Sequence, residues 1–237
     1  MEPPLQPKER LYIFLGAPGS GKGTQTLLLA DKLRLARIEM SKLLEERFLR
    51  AKPGEYVEIG GEKYYIAKQQ ELWKSGMINE APIVADTVMA RLRRLKGEDQ
   101  SILLDGFPRA IEQMEYLMPF ALKSFGKENI IVLYLDIEEE DTVFRNTHRR
   151  ICELLRHPIL YVKETEQLTL CPLDGSKLVT RSLDTPEITK KRLAIFKEET
   201  LPLLEYFEEH GIPVNQVSGA GSVSEVFSRI SKVVGGI

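Results

Sequence analysis

Gly16-Ala17-Pro18-Gly19-Ser20-Gly21-Lys22-Gly23-Thr24 decides how this chain is read. The apolar run Leu11-Tyr12-Ile13-Phe14-Leu15 leads into it, and residues 24–35 follow with the spacing of a helix. Glycines let a chain fold round a phosphate with its N–H groups pointing inward, and a helix starting there adds favourable partial charge. Lys22 adds a mobile cation that follows a transferred phosphoryl group. The common form of this loop has Ser or Thr directly after the lysine; here Gly23 intervenes and Thr24 comes next, a variant that narrows the reading. The alternative is a glycine-rich turn with no ligand. The flanking strand and helix patterns count against it, and the segment predicts a nucleoside triphosphate site.

Outward from the loop, apolar runs recur. Residues 101–104 end at Asp105-Gly106, residues 129–135 at Asp136, and residues 212–217 at Ser218-Gly219; residues 36–40 make a shorter fifth candidate. Unbroken rather than alternating runs predict strands buried on both faces. The expected fold is α/β, a five-stranded parallel sheet flanked by helices, with ligands at the carboxyl ends of the strands. Two stretches interrupt the rhythm. Residues 52–65 carry Pro53-Gly54 and Gly60-Gly61 around strand-like pieces at 56–59 and 63–66, a predicted hairpin. Residues 152–181 carry β-like pieces at 159–162 and 178–180 around Pro172 and Gly175.

Composition bounds the answer. The chain has 237 residues, 43% of them hydrophobic, enough for a sizeable core. Its 33 Lys+Arg against 35 Asp+Glu leave a formal charge of −2, which argues against a polyanion-coating protein but allows a local basic pocket. Two cysteines are too few for a disulfide scaffold and fit a reducing compartment. No apolar run approaches the ~20 residues of a membrane helix, and the polar, Pro-rich opening reads as a loose tail rather than a signal peptide. The expectation is a cytoplasmic protein with no nucleic-acid or membrane partner, a monomer by default.

Asp105-Gly106-Phe107-Pro108-Arg109 is the second motif. A carboxylate at a strand end beside a phosphate loop suits a hydrated Mg²⁺. Gly106 allows close backbone approach, and Arg109 offers a planar fork to a second phosphate. Asp-Gly alone more often ends a strand at the surface; the Pro-Arg and the upstream loop tip the reading. With both motifs, the chain resembles the adenylate kinase family of nucleoside monophosphate kinases, in order and spacing from about Leu11 to the C-terminus.

The resemblance implies a core of residues 1–38 (with a tail at 1–9), 81–150 and 184–237, a monophosphate-binding insertion at 39–80, and a small β-rich lid at 151–183. It implies transfer of the terminal phosphoryl group of Mg-ATP to a nucleoside monophosphate, usually AMP. Gly19, Ser20, Gly21, Lys22, Gly23, Thr24 and Gln216 would bind ATP, with Arg145 stacked on its adenine. Lys22, Asp105, Arg109, Arg149, Arg181 and Arg192 would carry the transfer. Met40, Met77, Asn79, Gly106, Arg109 and Gln113 would surround the acceptor, Gln113 reading its adenine. Any single arginine is more often a solvated helix face; their joint spacing lifts them above it. The acceptor phosphate, with a second ionisation at about pH 6, is already anionic, so no general base is required.

The chain also departs from the family. Where members typically read Ser/Thr-Thr-Gly-Asp-Met-Leu-Arg, it reads Glu39-Met40-Ser41-Lys42-Leu43-Leu44-Glu45. Glu45 aligns with the arginine that grips the acceptor phosphate, Met40 with the threonine at the base, and Lys42 with the aspartate. Lys42, Arg47 and Lys63 are candidates for the missing cation, and spacing does not choose between them. Acceptor identity therefore stays open to UMP, CMP or another monophosphate, beside the reading of an ATP-binding protein without transfer. In the lid, Cys152, His157, Cys171 and Asp174 form Cys-x4-His and Cys-x2-Asp, a donor set competent for a structural Zn²⁺. Metal-bearing lids of the family often begin Cys-x2-Cys, a position taken here by Leu155. The alternative is two cysteines packed as small hydrophobes. Leu183 precedes Asp184 where the family often has two aspartates. Trp73, Leu72, Tyr64 and Tyr65 read as a core of the insertion, and His148 and His210 as surface or cap residues. The acidic run 138–141 reads as the opening of a helix that carries Arg145 and continues through Arg149-Arg150 to residue 151.

Overall fold

Alternation along each buried strand sorts the core onto two faces of one sheet. The computed structural model describes residues 9–98, 100–181 and 183–235, so all of the expected tail except Glu9 lies outside the described residues. In chain order the first elements are β1 (Leu11–Gly16), α1 (Lys22–Leu33), β2 (Ala36–Glu39), α2 (Met40–Arg50), β3 (Tyr56–Ile59), β4 (Glu62–Tyr65), α3 (Ile66–Lys74) and α4 (Ala81–Lys96). Then come β5 (Ile102–Asp105), α5 (Ile111–Phe125), β6 (Ile130–Asp136), α6 (Glu139–His148), β7 (Arg150–Cys152), β8 (Pro158–Ile159) and β9 (Leu178–Val179). The chain closes with α7 (Pro186–Ile195), α8 (Pro202–Glu209), β10 (Val214–Ser218) and α9 (Val223–Val233).

The main sheet has the order β10-β6-β1-β5-β2 and is parallel throughout, the five strands expected from the apolar runs. Leu11, Ile13 and Leu15 face one core with Val84, Val88 and Leu92 of α4 and Leu203 and Phe207 of α8. Tyr12 and Phe14 face the other, with Leu29 of α1 and Val226 and Ile230 of α9. Each such side chain contributes about 1.5–3 kcal/mol when fully buried. Register brings Glu39 opposite Asp105 and Gly16 opposite Leu135, so the carboxyl ends of β1, β2, β5 and β6 meet along one edge.

Several boundaries move for local reasons. The helix expected from residue 24 starts at Lys22, because Gly21 takes a left-handed conformation (φ 96°) and turns the chain directly into α1. The helix expected to reach residue 151 stops at His148. Arg149 is extended, and the chain enters β7, which pairs with both β8 and β9. The strand expected over 159–162 ends at Ile159; beyond it the Thr165 hydroxyl accepts the Val162 N–H and donates to the Leu160 carbonyl, bonds that compete with a ladder. In the first interruption β3 and β4 form the expected hairpin, one residue earlier on the second strand. Tyr64 and Trp73 join the main core rather than a separate one, while Tyr65 is half exposed with its ring 5.7 Å from that of Tyr56. Between α7 and α8, residues Phe196–Thr200 form a π-helical turn in which Leu201 N–H donates to the Phe196 carbonyl at 3.0 Å.

Candidate active site

The loop between β1 and α1 is shaped by what stands behind it. Gly19 has φ 84°, and a Cβ there would collide with the Asn146 amide and lie 2.8 Å from the Thr142 carbonyl oxygen, both on α6. Only glycine fits. Lys22 Nζ donates to the Gly16 carbonyl and, at 2.8 Å, to that of Ala17. Burial pushes this ammonium down to about 7; Asp105 opposes the shift, while Arg109, Arg192 and Arg149 reinforce it.

Asp105 closes β5 beside the loop, almost buried. Its Oδ2 accepts the Thr26 hydroxyl of α1 at 2.7 Å and the guanidinium of Arg37. Arg37, on β2, was not among the residues expected from sequence. Nothing local marks it, because only the register of β2 against β5 carries it to Asp105.

Two cavities open at this edge and share Gly76, Met77, Ile78, Arg109 and Arg192. The first is walled by Gly16, Pro18, Lys22 and Gly106, and the second by Met40, Leu44, Trp73, Asn79, Gln113 and Arg181. A Cβ on Gly76 (φ 77°) would lie 2.9 Å from Ile188 and 3.3 Å from the Arg192 side chain, so glycine lets this turn close against α7. Burial lowers the affinity of Arg109, Arg181 and Arg192 for their protons, and in each case a neighbouring arginine adds to the effect. Arg109 is folded back by its Nε–H bond to the Gly106 carbonyl at 2.9 Å. Gln113 Oε1 accepts the Arg109 backbone N–H at 2.8 Å, which fixes the amide and leaves Nε2 as a donor. Gln113 Nε2 and Arg192 Nη1 are buried with no partner among the described residues.

The remaining expected residues fall in three places. Arg149 forms a bidentate pair with buried Asp184 (2.9 and 2.6 Å), next to Leu183 on the wall of the second cavity. Arg150 instead ties down its own segment through the Leu168 and Thr165 carbonyls. Arg145 donates to the Gly219 carbonyl at 3.1 Å, and Gly219 packs against the phosphate loop at Ser20. Gln216, on β10, donates to Asp136 Oδ2 at 2.9 Å and lines neither cavity. Glu45 pairs at 3.3 Å with Arg156, across from the second interruption. Arg47 pairs with Asp86, Lys63 stands over the Tyr56 ring, and neither they nor Lys42 line either of these two cavities. His148 and His210 cap their helices through Nδ1, on the Phe144 and Tyr206 carbonyls.

Residues 14–212 match the family model described as adenylate kinase. The chain belongs to the adenylate kinase family. It is 34% identical over 196 residues to an adenylate kinase of Chlamydia muridarum, covering 82% of this chain and 76% of that protein. It is 32% identical over 225 residues to one of Clostridium botulinum strain Langeland, covering 94% and 97%.

In this member of the adenylate kinase family the segment from β7 to β9 gathers Cys152, His157, Cys171 and Asp174, with one donor atom from each lying within 4.8 Å of the others. His157 Nδ1 is 3.5 Å from Cys152 Sγ, 3.6 Å from Cys171 Sγ and 3.2 Å from Asp174 Oδ2. Those separations match the edges of a small tetrahedron. Hydrogen bonds from Cys152 and then Ser176 hold the Asp174 carboxyl well below the usual carboxylate range.

Proposed function

We propose that this chain transfers the γ-phosphoryl group of ATP to AMP, giving two ADP. The carrying observation is a row of enclosed cations, Lys22, Arg192, Arg109 and Arg181, joining two cavities whose linings include no Asp, Glu or His among the described residues. Cations crowded against one another raise the energy of the unliganded site and lower it when polyanions enter. A site of that kind activates nothing by proton abstraction, which suits an acceptor that is already an anion. An AMP phosphate oxygen attacks the γ-phosphorus, the bond to the β–γ bridging oxygen breaks, and charge on the equatorial oxygens is met by Lys22 and the arginines. Residues 39–80 serve as the acceptor insertion and 151–183 as the lid, whose closure excludes water.

Gln113 supports adenine as the acceptor base. With Oε1 engaged by Arg109, it presents an N–H donor, which matches the unprotonated ring nitrogen N1 of adenine and opposes the N–H of guanine or uracil at the corresponding edge. Asp105 and the Thr24 hydroxyl are the residues that would hold magnesium, which would supply positive charge to the phosphates. Cys152, His157, Cys171 and Asp174 fit a structural zinc ion, which when bound cross-links β7 to the following loops. The pair of thiols suits a reducing, cytoplasmic setting. Among the described residues no helix is long and apolar enough to cross a membrane.

The test is Mg-ATP with AMP, CMP, UMP, GMP and dAMP in turn, products separated by chromatography. ADP formed fastest with AMP supports the proposal. Preference for another monophosphate moves the acceptor, and no transfer to any of them overturns the reaction. For the lid, metal analysis of protein purified without chelator is expected to give one zinc per chain, and Cys152→Ser to lose it.

A further inference from the structure

Asp105 already has a cation in place. Arg37 extends from β2, where it pairs in register with Leu103, on the sheet face that carries Asp105 and Glu39. Its Nη2 reaches Asp105 Oδ2 and, at 3.1 Å, Glu39 Oε2, while its Nε–H donates to Thr26 Oγ1 at 3.1 Å. Thr26 is fully buried and itself donates to the same Asp105 oxygen at 2.7 Å. The guanidinium also stands against the end of the phosphate loop, 3.9 Å from the point a Cβ on Gly23 would occupy. Two of its contacts are directional hydrogen bonds and the third is the ion pair with Glu39, so its position is set rather than sampled.

We propose that Arg37 is a positioning residue that aims Asp105 and supplies a fixed positive charge beside the phosphate loop, so that ATP binding by this chain depends less on magnesium. The proposal rests on reading the loop and Asp105 as the ATP-magnesium site. A carboxylate engaged by a guanidinium on one oxygen has less negative charge to offer a divalent cation, and a cation next to the loop attracts phosphates by itself. Both effects act in the same direction. Glu39 tempers them: it shares Nη2 with Asp105, and its side chain is 36% exposed, so it is a removable counter-charge.

The measurement is the ratio of the ATP dissociation constant in EDTA to that in excess Mg²⁺, by calorimetry on the full chain. Arg37→Gln is expected to raise this ratio at least about fivefold, Arg37→Lys to hold it within about twofold of the unaltered protein, and Glu39→Gln to lower it. Glu39→Gln keeps the test decisive if Arg37→Gln fails to fold, since the two substitutions move the ratio in opposite directions. Equal ratios across the folded variants, with ATP still bound, overturn the role of Arg37 and leave the ATP site standing. Loss of ATP binding by the unaltered protein under both conditions overturns the site reading as well.

Discussion

The loop proposed to hold the donor and the cavity proposed to hold the acceptor are built by opposite means. The loop is nine consecutive residues whose proposed hold on ATP comes from its backbone, and what constrains it is space, as the collision behind Gly19 shows. The acceptor cavity takes Met40 and Leu44 from α2, Trp73 from α3, Gln113 from α5, Arg181 from beyond β9 and Arg192 from α7. One is a local conformation, the other an assembly that exists only when distant elements close on each other. Charge separates them too: the loop itself carries one lysine, with Arg37 beside its end, whereas several arginines crowd the boundary between the two cavities. A protein built this way tolerates a change in one wall residue of the cavity, such as Met40, better than a change in the loop.

Four measurements break or sharpen that contrast. Lys22→Met is expected to lower kcat/KM by about 1,000-fold with the circular dichroism spectrum unchanged, because it removes a charge aimed at the transition state. A loss of less than about tenfold would place the decisive cations among the arginines. Gln113→Glu keeps an acceptor for the Arg109 N–H but replaces the donor, so the kcat/KM preference for AMP over UMP is expected to fall roughly 10- to 100-fold. An unchanged ratio would show that shape, not this amide, selects the base.

The third measurement uses pH. Lys22 is held down to about 7 by burial, and a bound phosphate favours its charged form. ATP binding therefore takes up a proton above neutrality, and affinity is expected to fall by up to about tenfold per unit between about pH 7.5 and 9. Lys22→Met should flatten that slope, and a flat slope in the unaltered protein would refute the shift. The smallest effect belongs to Glu45→Gln, which breaks only a partly exposed pair with Arg156. Its expected change in the KM for AMP is under about threefold. A large gain in kcat/KM would put Glu45 at the acceptor phosphate after all.

Legibility follows the same division. The loop, the strand before it and Asp105-Gly106-Phe107-Pro108-Arg109 are readable because each is contiguous and its chemistry demands particular residue types. The sheet is readable because unbroken apolar runs mean burial on both faces. Arg37 left no trace in sequence, since the contact that gives it meaning is a strand register 68 residues away from Asp105. Glu45 looked like a lost phosphate ligand because its partner, Arg156, lies 111 residues on. Arg149 and Arg150 are neighbours in sequence, yet the turn from α6 into β7 sends one to Asp184 and the other to carbonyls of its own segment. Side-chain type tells what a residue is able to do, and only the closed chain tells which partner it meets.

The π-helical turn at Phe196–Thr200 stores one residue of slack between α7 and α8. Before it, Arg192 is held toward the cavities; after it, Leu203 and Phe207 are seated in the sheet core, and Thr200 donates to the Arg109 carbonyl at 2.7 Å. The wider turn holds one residue more than an α-turn would, so the extra residue is absorbed locally and α8 keeps nearly the facing it would have in a continuous helix one residue shorter. Deleting one of those five residues would let the segment close to an α-turn with Arg192 and α8 still nearly in phase. One further residue would find no such reservoir and would turn α8 by about 100° relative to Arg192. The cost of the deletion falls instead on the turn's own contacts, first the bond from Thr200 to the Arg109 carbonyl.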